Sequence, residues 1–101
     1  MKNQNGPKRC WRIRGYDGST DIFDQSVPIG QITESSMKEL LRALVAKSLS
    51  PREVVGAYAK RGTRISNEFL EIHKENQVDK RRTLYTCGTN PHFIATTDTC
   101  E

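Results

Sequence analysis

Cys87 and His92 are the one pair of side chains in this chain whose types and spacing suggest joint chemistry. Between them lies Gly88-Thr89-Asn90-Pro91, a run rich in turn formers. If those residues make the turn of a hairpin, Cys87 and His92 become directly opposed neighbours on one side of a sheet. An imidazole beside a thiol activates it as a nucleophile, by lowering its pKa or by taking its proton. A working site also needs an orienting group and an oxyanion hole, and no motif supplies either; Asn90 in the turn is the only candidate. The plainer alternative is a hairpin end that holds a half-buried Cys and an exposed His, and the missing partners favour it.

The second chemical feature is the placement of the basic groups. Lys60, Arg61 and Arg64 follow one another closely, and so do Lys80, Arg81 and Arg82, while Arg9, Arg12 and Arg14 alternate near the start. Gathered on one face, Arg61, Arg64, Arg81 and Arg82, with Lys60 and Lys80, would suit the phosphate backbone of a nucleic acid. Blocks of charge are more often a solvated surface. Trp11, Tyr58, Phe69, Tyr85 and Phe93 all read as core residues, so no aromatic is left to stack on bases. No helix-turn-helix, zinc-finger or RNA-recognition signature occurs, and sequence-specific readout is not indicated.

Other chemistries find less support. Cys10, His73, Cys87, His92 and Cys100 are soft metal ligands in type, but no Cys-x-x-Cys or short His-to-His spacing joins them. No metal and no cofactor are expected. The glycines Gly15 and Gly18 lack the Lys-Ser/Thr of a P-loop. Asp21 and Asp24 fall near Arg12 and Arg14, where ion pairing explains them as well as catalysis does.

These residues must be positioned by a small scaffold. The chain has 101 residues, 35% of them hydrophobic, and a formal net charge of +4. One domain with a thin core follows. The N-terminus has no apolar signal segment, and no run approaches the about 18 apolar residues of a membrane span. A cytoplasmic protein that does not enter a membrane is therefore expected. Its three cysteines, odd in number and widely spaced, are expected to be reduced.

Residues 1–8 read as a loose tail, 9–97 as the domain and 98–101 as a frayed end. Cys10 to Arg14 alternates as a strand, with Trp11 and Ile13 on one face. Asp17-Gly18 supplies a hairpin turn to a partner strand over Thr20 to Val27. Two registers compete: a two-residue turn sets Ile13 opposite Ile22, and a bulged turn sets Trp11 opposite Phe23.

Thr33 to Ser48 is the clearest element, an amphipathic helix with Met37, Leu40, Leu41, Leu44 and Val45 in one stripe. Thr33 is its expected N-cap, with Ser36 as a rival start. Ser50-Pro51-Arg52-Glu53 opens a second helix that should run to about Arg61 and end at Gly62. Gly56 inside it should cost about 1 kcal/mol against Ala. Strands over Glu68 to Glu75, Arg81 to Cys87 and His92 to Thr97 complete a meander.

The order ββααβββ implies a two-layer α+β domain: an antiparallel sheet, made of an N-terminal hairpin and a C-terminal three-strand meander, with two helices on one face. With core periodicity but no full catalytic set, the expected function is a non-enzymatic interaction domain for a protein partner, an exposed sheet edge being one docking route. Sequence-independent nucleic-acid binding through the basic groups is the alternative, and a Cys87/His92 enzyme is the third reading. The sequence sets no oligomeric state.

Overall fold

The strands pair as their turn residues demand, and the order ββααβββ is the one observed. The computed structural model describes residues 8–75 and 83–100. β1 (Arg9–Asp17) and β2 (Thr20–Pro28) form the N-terminal hairpin, and a 3₁₀ turn over Ile29–Gln31 leads into α1 (Glu34–Ala46). α2 (Pro51–Tyr58) follows, then β3 (Ile72–Glu75), β4 (Leu84–Gly88) and β5 (His92–Thr99). All five strands join one antiparallel sheet in the order β2-β1-β5-β4-β3.

Neither expected register of the first hairpin holds. Gly18, at φ 63°, makes a two-residue turn with Ser19, so Asp17 faces Thr20 and Tyr16 faces Asp21. A bulge then leaves Ile22 as an extra residue, and beyond it Phe23 faces Gly15 and Val27 faces Trp11. The cause is packing. A Cβ on Gly15 would lie 2.3 Å from the Phe93 ring, so only glycine admits that ring over β1. Phe23 meets the same ring edge-on, with centroids 6.3 Å apart.

α1 covers one side of the sheet across β4 and β5. Met37, Leu41 and Val45, spaced i, i+4, i+8, are buried against Trp11 and Ile13 of β1, Tyr85 and Cys87 of β4, and Phe93 and Ala95 of β5. Thr33 is the N-cap and accepts from the Ser36 amide at 3.1 Å, which settles the start against Ser36. Two polar contacts fasten this end of the helix to the sheet. Trp11 Nε1 donates to the Ile32 carbonyl at 2.9 Å, and the Tyr85 hydroxyl donates to Glu34. Burial, then the hydrogen bond to Glu34 and its charge, push the Tyr85 hydroxyl up to about 12.

α2 and β3 are shorter than the sequence suggests. α2 begins with the full Ser50–Glu53 capping box but stops at Tyr58, because Ala59 turns to extended backbone at ψ 155°. β3 starts only at Ile72; before it, the Glu71 amide donates to the Glu68 carbonyl in a turn. Leu70 is still buried, and its carbonyl accepts from Arg42 Nε at 3.2 Å. Among the described residues, no helix is long and apolar enough to cross a membrane.

Of the end expected to fray, residues 98–100 are held, and Glu101 lies outside the described residues. β5 continues to Thr99, and the Cys100 amide donates to the Lys8 carbonyl at 2.8 Å. Cys10 and Cys100 form a disulfide with Cα atoms 5.1 Å apart, which corrects the expectation of three reduced thiols. Strand pairing brings together two cysteines 90 positions apart, a proximity that linear spacing cannot reveal. Cys87 stays free and buried.

In the chain-entropy account, closing a loop of this length stabilises the fold by about 4–5 kcal/mol. Thermal melts with and without reductant should therefore separate clearly, with the reduced protein melting lower. Coincident melts, in protein whose Cys10 and Cys100 have been shown to alkylate only after reduction, would contradict the role given to this bond.

Candidate functional site

The β4–β5 hairpin does not oppose Cys87 to His92. Cys87 pairs with Phe93, and His92 pairs with Gly88. The turn is thus Thr89-Asn90-Pro91, one residue shorter than expected, and the two side chains fall on opposite faces of the sheet. Cys87 lies inside the core at 1% exposure. His92 stacks on Tyr16 across the other face, with ring centroids 5.3 Å apart.

Burial pushes the Cys87 thiol up to about 11, and the charge of Arg42 offsets only part of that. This is the reverse of an activated thiolate. Asn90 serves the structure instead, since its side-chain oxygen accepts from the Gly18 amide at 3.2 Å and so ties the tips of the two hairpins together. Among the described residues, no three His, Cys, Asp or Glu side chains gather where they could hold a metal.

The basic residues split. Arg61 is paired with Glu71 at 2.9 Å. Lys60 and Arg64 are exposed and make no ion pair among the described residues. Lys80, Arg81 and Arg82 lie outside the described residues. At the N-terminal hairpin, Arg12 holds Asp24 at 2.8 Å, and that hydrogen bond, with the charges of Arg12 and Arg14, keeps the Asp24 carboxyl below its ordinary range. Among the described residues, the face of the sheet away from α1 sets Arg12 and Arg14 against Asp24, Glu75 and Asp98, so it is not basic.

The residues that stand out were expected in the core. Tyr58 is 65% exposed and Phe69 43%, and they share the α2–loop region with Val55 at 60% and Ile65 at 61%. The physical reason lies in Gly56, the one buried residue of α2. A Cβ there would lie 2.3 Å from the Ile65 carbonyl oxygen, so the glycine lets the following loop lie directly on the helix.

Asn67 locks that contact. Its Nδ2 donates to the Glu53 carbonyl at 3.0 Å, its amide donates to the Gly56 carbonyl, and its Oδ1 accepts from the Phe69 amide. With its inner side given to backbone, an eight-residue helix has little room to bury Val55 and Tyr58 as well. The Gly56 and Asn67 pairing was the available signal, but a glycine in a helix reads first as a propensity cost.

No protein-family model matches the chain, and neither a curated protein nor a solved structure does. The site therefore rests on its own geometry.

Two outcomes follow. Helix propensity alone makes Gly56→Ala stabilising by about 1 kcal/mol; the Ile65 carbonyl makes it destabilising, and a lower melting temperature in the variant decides the sign. Cys87 should alkylate in the native protein far more slowly than a free thiol at pH 8, and His92→Ala should leave that rate unchanged. Because the folded thiol titrates near 11 against an ordinary 9.0, its contribution to stability is fully present below about pH 9 and is lost as pH rises through about 11. A denaturant series over that range should show stability falling in the wild type and a flatter profile in Cys87→Ala.

Proposed function

We propose that this chain is a non-enzymatic domain that binds a protein partner through α2 and the loop after it. One observation carries the reading: of the six large apolar side chains exposed among the described residues, Val55, Tyr58, Ile65 and Phe69 lie on that single unit. Exposed apolar groups scattered singly need no explanation, but a local concentration of them marks surfaces that bury against a partner. Tyrosine suits such a role, since it buries a large ring and keeps a polar tip. The rigid support from Gly56 and Asn67 limits the ordering cost of association.

A second reading, sequence-blind nucleic-acid binding, draws support from the closeness in sequence of Tyr58 to Lys60 and Arg64. The Arg61–Glu71 pair weakens it by removing one cation. The Cys10–Cys100 disulfide supports an oxidising setting for the folded domain in place of the cytoplasmic one expected from the sequence.

The test is affinity capture from nuclease-treated native extract with the wild type and Tyr58→Ser side by side. A stoichiometric protein retained by the wild type and lost by the variant, with the variant's melt unchanged, is the expected outcome. Recovery of RNA or DNA from untreated extract, and of nothing after nuclease, would replace this reading with the second one.

A further inference from the structure

We infer that the α2 surface takes an acidic segment of its partner, one that carries large apolar side chains; this rests on the protein-binding reading above. The segments before, within and after α2 are basic in sequence. Lys47 and Arg52 flank the start of α2, and Lys60 and Arg64 follow its end. All four are exposed, and none forms an ion pair among the described residues.

The neighbouring acids are largely committed. Glu71 holds Arg61, Glu39 holds Arg42, and Glu53 accepts from the Ser50 amide in the capping box. Glu68 is the one remaining carboxylate between Lys47 and Glu71. The surplus on this unit is therefore positive.

The shape agrees with the charge. Arg52, Val55 and Tyr58 are spaced three apart on α2 and form one row along its outer side. Beside Tyr58, a cavity of about 360 Å³ is walled by Ala57 and Leu70, reaches Arg42 of α1 and is bordered by Glu68 and Glu71. It therefore suits an apolar anchor, while the partner's acids meet Lys47, Arg52, Lys60 and Arg64. It has room for an anchoring side chain from a partner, while the exposed ring of Tyr58 supplies further apolar contact. A second copy of this chain fits poorly, because two such surfaces would bring like-charged rims together. An acidic segment gains attraction at the rim and burial at the centre.

The test uses fluorescence anisotropy on the full oxidised chain with two synthetic amphipathic peptides. One is built of Glu, Leu and Phe; the other has every Glu replaced by Lys. The Glu peptide should bind, weaken as salt rises past about 0.15 M, where screening acts within about 8 Å, and lose about tenfold or more in affinity with Arg52→Glu plus Arg64→Glu. The Lys peptide should not bind the wild type.

Equal binding of both peptides, no binding of the Glu peptide, or tighter binding of a single-stranded oligothymidylate would each overturn the inference. Concentration-dependent dimers lost in Tyr58→Ser would overturn it too. The two readings fail separately. If the captured partner is lost with Tyr58→Ser or Val55→Ser but kept with the paired Glu substitutions, the acidic partner is wrong and protein binding stands. If neither apolar variant loses the partner, the surface itself is wrong.

Discussion

The architecture depends on the pairing of the first strand with the last. β1 meets β5 over eight positions, from Arg9 against Thr99 to Tyr16 against His92, and this ladder joins the N-terminal hairpin to the C-terminal meander. Without it there are two small sheets, of which the two-stranded N-terminal hairpin is too narrow to be stable alone. With it, the core side of β1 meets the core side of β5, and α1 has one continuous floor. Because the paired segments lie far apart in the sequence, this non-local pairing carries the largest loop-closure cost among the strand pairs. The disulfide covalently secures the open end of that ladder, and Asn90, reaching the Gly18 amide, secures the other.

That ladder also sorts the chemistry. One side of the sheet is dry and holds Trp11, Ile13, Cys87 and Phe93 under α1. On the other, polar groups are partnered with each other, as in the Arg12–Asp24 pair and the Tyr16–His92 stack. The one free cysteine, Cys87, is buried on the dry side with its thiol pushed up rather than activated. The excess of exposed apolar groups is displaced to α2 and its loop, the part of the molecule that leans least on the sheet.

How far the sequence carried depends on the range of the interaction involved. Thr33 and the Ser50–Glu53 box were legible because an N-cap is settled within three residues. Met37, Leu41 and Val45 were legible because helical periodicity is local. The order of the elements followed from turn and cap residues alone.

What failed was settled by contacts across the sheet. The hairpin register hinged on whether Phe93 could lie on Gly15, a contact 78 positions long in sequence. Cys87 and His92 were misplaced by a single residue, which in a strand exchanges faces. The disulfide was hidden by a longer separation still, 90 positions. Tyr58 and Phe69 were assigned to the core by residue type, and only the Ile65 carbonyl over Gly56 shows why there is no room for them inside. Lys80, Arg81 and Arg82 lie outside the described residues.

The bond between Cys10 and Cys100 has a mechanical meaning. It turns the domain into a covalent ring with both of its outlets at one corner of the sheet. Tension applied to the chain on either side of that ring loads the contacts of Lys8 and Arg9 outside it, then runs from one sulfur to the other and spares the rest of the hydrogen-bonded ladder and the core. Tethered at its two ends, the oxidised domain is a knot in a rope under load; with the sulfurs parted, the same pull would unzip β1 from β5.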